Sequence, residues 1–287
     1  MQDGSGDRLL AKLHRASAAP RGLVVLVHGL TGCEDSFYIR ISARFWLEAG
    51  YAVLRLNLRG AGPSRPLCRQ QYHAGRSEDL RDVLQALRET DRDLLAGGVF
   101  LVGYSLGGNL LLRFLAEEAG AFPVAAAATV SAPIDLKAAQ ERIMAPRNWV
   151  YHRYLLTRMR REALAAPVPP DEAARRAILD AESVYAFDDR VVAPANGFAG
   201  AEDYYRRCSG LRFLPDIAVP TLVVHAEDDP WIPAAAHRQF DWSANPQLRL
   251  AITPAGGHVG FHGRGAAVPW HDREIGCFFD HVVAGNQ

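Results

Sequence analysis

Leu23-Val24-Val25-Leu26-Val27 is a continuous apolar run, largely β-branched and free of glycine. Strands covered on both faces read this way, whereas half-exposed strands alternate apolar with polar. Further short runs follow at Tyr51–Asn57, Val99–Val102, Val124–Ser131, Thr221–His225 and Gln247–Ile252. Segments of helical character separate or follow them at Phe37–Ala49, Ser77 to about Leu95, Leu106–Glu118 and Trp270–Val283. Phe37, Ile41 and Phe45 share one face of the first, and Gly50 is a ready stop. Ser77 with Glu78 and Asp79 reads as a helix start whose acidic turn complements the dipole. Strand alternating with helix at these spacings predicts an α/β fold, a mostly parallel twisted sheet covered by helices on both faces.

The alternation fails from Leu136 to Gly210, which holds helical segments and turns but no convincing strand. Trp149, Leu155, Leu156 and Met159 give one apolar stripe there, and Asp171–Tyr185 reads as another helix. The chain therefore divides into an α/β core, residues 1–135 and 211–287, and a helical insertion, residues 136–210. Insertions at the strands' C-terminal edge commonly cover a site. The alternative is a packing excursion that never meets substrate.

Composition excludes several classes. Among 287 residues, Lys+Arg and Asp+Glu are both 32, so the formal net charge is zero. That balance leaves no electrostatic footprint for nucleic acid or an anionic membrane. No apolar run approaches the roughly 18 residues a spanning helix needs, and Met1–Pro20 lacks the apolar core of a signal peptide. The four cysteines lie far apart without a CxxC pair, as expected of reduced thiols. The expectation is a soluble cytoplasmic protein without stable membrane insertion.

Gly103-Tyr104-Ser105-Leu106-Gly107 fits G-x-S-x-G. The bare pattern is weak, but here it ends a buried strand and opens a helix, the strand–turn–helix of a nucleophile elbow. A serine hydroxyl needs a base, and most of the ten histidines have bland places. His237 lies on a helix, His14 and His281 near the termini, and His73 and His152 in loop or insertion. His258 sits in Gly256-Gly257-His258-Val259-Gly260, a loop after the last core strand that can reach Ser105. His262 competes for that role. A His258/His262 metal pair lacks a third ligand and a helical i,i+4 frame. The acid that orients the base falls at Asp228 or Asp229, directly after the strand ending at His225. Adjacent side chains diverge, so only one of them can hold His258. The N–H groups of Leu106 and of Leu30, in His28-Gly29-Leu30-Thr31-Gly32, are candidate oxyanion donors. No phosphate or dinucleotide motif is present.

The chain resembles the α/β-hydrolase superfamily, and within it the bacterial YheT-type esterases. These are related to the animal α/β-hydrolase-domain phospholipases and the plant embryogenesis-associated proteins. The resemblance rests on His28–Gly32, Asn57–Gly60, Tyr72–Gly75, Gly103–Asn109, Ser131–Pro133, Asp203–Tyr205, Asp228–Pro230 and Gly256–Phe261. The superfamily's D-x-x-[IV]-P turn falls on Asp229–Pro233 and implies Asp229 as the acid. Ala163–Pro170 matches poorly and the lead before Leu23 is short for the family, so substrate choice is not carried over.

The reading is a serine hydrolase of carboxylic esters using Ser105, His258 and Asp229, with Leu30 and Leu106 as oxyanion donors. It needs neither metal nor organic cofactor, and its partner is a small-molecule ester. The same triad serves thioesters, lipid acyl groups and acyl transfer, and a binding protein on a hydrolase scaffold is the rival of another class.

Overall fold

The continuous apolar run becomes a fully buried strand of a seven-stranded sheet in the computed structural model, which describes residues 1–15 and 20–285. In chain order the strands are β1 (Ala11–His14), β2 (Leu23–Val27), β3 (Ala52–Leu56), β4 (Val99–Tyr104), β5 (Val124–Val130), β6 (Thr221–Ala226) and β7 (Leu248–Thr253). They lie side by side as β1-β3-β2-β4-β5-β6-β7, and every pair is parallel except β1 with β3. Val27 pairs with Gly103, and Tyr104 with Val130. The loops after β2, β4 and β5 therefore leave the sheet at one edge.

Alternate residues of β2 feed two cores, as the period of two requires. Leu23, Val25 and Val27 pack with α2 (Glu78–Thr90) and α3 (Leu106–Glu117) through Leu80, Leu84, Leu110 and Phe114. Val24 and Leu26 face α1 (Phe37–Glu48) and the C-terminal helix Trp270–Gly285 through Ile39, Trp46, Ile275 and Phe279. Between β5 and β6 come α4 (Leu136–Met144), α5 (Trp149–Leu164), α6 (Glu172–Asp180), α7 (Val184–Phe187), α8 (Ala193–Ala195) and α9 (Ala201–Cys208). A π-helical turn, Asp188–Val192, joins α7 to α8. Two helices follow: α10 (Ala235–Gln239) and α11, the C-terminal helix already introduced.

Several local expectations are corrected. The N-terminal lead contributes β1, a half-exposed edge strand whose Lys12 reaches Asp35 and Glu34. Four residues with a charge among them carry no strand pattern, and such a charge suits an edge. The buried face of α1 is Ile39, Ala43 and Trp46, while Phe37 is 71% exposed. Trp149 is likewise exposed, and only Leu155, Leu156 and Met159 of its stripe are buried. α2 ends at Thr90, with a separate 3-10 turn at Arg92–Leu95. Ser77 makes no capping bond with its side chain and donates instead to Glu118. Asp79 is fully buried and receives the Arg59 Nε–H at 3.0 Å, so its partner is a side chain rather than the helix dipole alone. Asp7, also buried, takes a second N–H of Arg59 at 3.1 Å and anchors the N-terminal segment. Asp171–Tyr185 breaks at Ala181–Ser183 into α6 and α7.

Candidate active site

The turn from β4 into α3 sets the site. Ser105 has φ 51° and ψ −124°, a strained conformation for a residue with a side chain. Its N–H bonds the Val130 carbonyl at 2.8 Å, locking the turn to β5. Gly107 is obligatory here: a Cβ would lie 2.4 Å from the His28 carbonyl oxygen. The helix thus crosses directly beneath the loop after β2, and Ser105 is lifted over the sheet edge.

Two further loops converge on this serine. The Ser105 hydroxyl donates to His258 Nε2 at 3.0 Å, and His258 Nδ1–H donates to Asp229 Oδ2 at 2.8 Å. Asp229 is 3% exposed, and its other oxygen accepts from the N–H groups of Trp231 and Ile232 at 2.9 and 3.0 Å. Burial pushes this carboxyl up, but the bond and charge of His258 with the two backbone N–H groups outweigh it, and the net shift is downward. Asp229 is therefore an anion at neutral pH, and it selects the imidazole tautomer with Nε2 free to accept.

Asp228, the rejected neighbour, has a separate place. Its Oδ1 accepts from the N–H groups of Gly256 and Gly257, both at 2.8 Å, and so holds the loop that presents His258. The Val259 N–H reaches Ser131 Oγ at 3.1 Å on the other side of the histidine. His262 is exposed and lies outside this chain of bonds. Both ring nitrogens of His258 are engaged in this chain of bonds.

Leu30 and Leu106 both line the cavity that opens on Ser105. The Leu106 N–H is the first of α3, at the position where a helix lacks an internal acceptor. Leu30 is held by its neighbours. The Gly29 N–H bonds Tyr38 Oη at 2.9 Å, and the Thr31 N–H bonds Tyr72 Oη at 2.6 Å. His28, fully buried, accepts the Leu58 N–H on Nε2 and donates Nδ1–H to the Gly29 carbonyl at 2.8 Å. Burial pushes its imidazole down to about 4, so it stays neutral and the bond pattern is fixed.

The helices after β5 meet the loop after β2 and the loop after β6. Arg158 of α5 donates to the Thr31 carbonyl at 2.9 Å, and Tyr72 donates to Glu162 of α5 at 3.3 Å. Asn148 donates to the Pro230 carbonyl at 2.9 Å, and Tyr151 stacks on Trp231 with ring centroids 3.5 Å apart. Between these helices and the sheet edge lies a cavity of about 400 Å³, lined by Ser105, His258 and mostly apolar side chains such as Met159, Ile178 and Val192. Sequence reasoning assigned no role to Tyr38, Tyr72, Arg158 or Glu162. Tyr72 stands in a motif that carried the resemblance, and that was its only signal.

A family model described as the alpha/beta hydrolase fold matches residues 22–264, a span that includes every residue of this arrangement. The chain belongs to the α/β-hydrolase family. Within that family it is of YheT type. YheT of Escherichia coli strain K12, an esterase by name, is 34% identical over 269 residues, 92% of this chain and 77% of YheT. Phospholipase ABHD3 of Mus musculus is 31% identical over 252 residues, 85% of this chain. The match spans 59% of that phospholipase's length. The esterase Pf2001 of Pyrococcus furiosus shares the fold at a TM-score of 0.63 and 16% identity, covering 98% of this chain and 94% of its own. Among the described residues no helix is long and apolar enough to cross a membrane.

Proposed function

We propose that this hydrolase cleaves carboxylic esters through an acyl-enzyme on Ser105, with His258 as base and Asp229 as the acid that orients it. The carrying observation is the bond chain Ser105–His258–Asp229 at the floor of an apolar cavity. His258 takes the Ser105 proton as Oγ attacks the ester carbonyl. The N–H groups of Leu30 and Leu106 receive the developing oxyanion. His258 then gives its proton to the leaving alcohol, and water repeats the sequence to release the acid. The helices of residues 136–210 act as a lid that keeps the acyl chain from water. Esterase and phospholipase names among the relatives favour the same chemistry.

The test is a panel of p-nitrophenyl esters of rising acyl length, with an acyl thioester and a phosphatidylcholine beside them. The reading expects p-nitrophenyl ester turnover that falls for chains too long for the cavity and that Ser105→Ala removes. A residue of about 10³–10⁴-fold over water can survive through the oxyanion donors. Preference for the thioester by a wide margin, or wild-type turnover in a folded Ser105→Ala protein, contradicts it.

A further inference from the structure

Among the apolar side chains of the cavity stands a carboxyl that the reaction above does not use. Asp188 is 8% exposed and lines the same cavity as Ser105 and His258. Its Oδ2 accepts the Tyr205 hydroxyl at 2.6 Å, while Oδ1 has no protein hydrogen bond among the described residues. Burial pushes the carboxyl up to about 7 against the Tyr205 bond, and no cation offsets it. A buried carboxyl without a charged partner is costly, so a purely structural tie would be better made by apolar side chains.

The local backbone has a tie already. Asp188 begins the π-helical turn Asp188–Val192, and turns of this width recur at functional sites. The next residue, Asp189, accepts the Ala201 N–H at 2.9 Å and pins the turn to the start of α9. What Asp188 adds is a carboxyl that lines the cavity, with one oxygen held by Tyr205 and the other without a protein partner among the described residues.

We propose that the Asp188–Tyr205 pair binds a hydroxyl on the acyl chain, which makes hydroxyacyl esters the substrate class of this site. The inference rests on the ester-hydrolase reading. An ammonium would need a second charge desolvated among aliphatic walls, whereas a hydroxyl donates to the free oxygen as a neutral group. The Leu, Ile and Val side chains that line the cavity accommodate the methylenes between that hydroxyl and the ester.

The experiment compares kcat/KM for p-nitrophenyl octanoate with esters of octanoic acid bearing one hydroxyl, moved along the distal half of the chain. Assayed at pH 8, above the value of about 7 to which burial pushes Asp188, at least one isomer should exceed the unsubstituted ester by about 10- to 100-fold, the worth of a hydrogen bond to a charged group. Asp188→Leu should bring that ratio to about one, and Asp188→Asn, closer in shape, should lower it. No isomer above octanoate in the wild type overturns the proposal whether or not the variants fold. A ratio unchanged in folded Asp188→Leu overturns it as well. Ser105→Ala separates the two readings. Equal rates on all esters, lost in Ser105→Ala, defeat the hydroxyl assignment alone, whereas octanoate turnover that survives Ser105→Ala defeats the ester-hydrolase reading itself.

Discussion

Asp228 and Asp229 are chemically identical neighbours that the backbone sends to different tasks. Asp229 bonds the imidazole of His258, and Asp228 bonds two N–H groups of the loop that carries it. Asp229→Asn should lower kcat by about 10⁴-fold, since the amide presents the wrong partner to Nδ1–H. Asp228→Asn keeps an acceptor for both N–H groups and should stay within about tenfold of wild type. Steady-state kinetics on one p-nitrophenyl ester decides this, and a reversed order of severity would mean that the loop, and not the acid, limits turnover. Strain marks the same region. Among the described residues, the non-glycine positions with positive φ are Thr31, Ser105, Ser131, Val259 and Phe261. Thr31 follows Leu30, Ser131 bonds the Val259 N–H, and Val259 and Phe261 belong to the histidine loop. Such conformations cost on the order of 1–3 kcal/mol each and persist where surrounding bonds over-determine them.

At the scale of elements, α5 is joined to both loops that flank the serine. Thr31 is gripped on both backbone groups, its N–H by Tyr72 and its carbonyl by Arg158. Leu30 precedes it, so the direction of the Leu30 N–H depends on that grip. Tyr72→Phe and Arg158→Met should each lower kcat about tenfold with little change in KM, a modest part of the 10²–10³-fold that loss of an oxyanion donor costs. A rise in KM alone would place these residues in substrate binding instead. Their role was not legible in the sequence, because Arg158 and Thr31 lie 127 residues apart and no periodicity links them. The buried strands and the elbow were legible, since continuous apolar runs read as covered strands and a G-x-S-x-G set between such a run and a helix leaves few other solutions. β1 was not, being held by pairing with β3 rather than by burial. The face of α1 was misread because Phe37 and Ile39 both look like core residues and only the packing of Trp46 decides between them.

The whole molecule carries buried titratable groups whose effects on stability oppose one another. Burial pushes Asp272 up to about 7, and the bonds from Ser42 and Tyr104 offset only part of that. The folded state then keeps a proton that the unfolded chain releases from about pH 4, so this group's stabilisation is lost as pH rises toward 7. Burial pushes His28 down to about 4 and His237 to about 3, so the unfolded chain binds the extra protons and stability rises with pH up to about 6.5. Asp272→Asn removes one slope. Its melting temperature relative to wild type should climb between pH 4 and pH 7, by the equivalent of up to about 4 kcal/mol, and level off above that. A flat difference would show that Asp272 is ionised in the folded protein. The central claim is that the converging loops activate Ser105, and intact-protein mass spectrometry after treatment with a fluorophosphonate tests it most directly. The account predicts one adduct, mapped to Ser105, absent from Ser105→Ala and formed far more slowly in His258→Gln. An unlabelled wild-type protein, or an adduct that persists in Ser105→Ala, would contradict it.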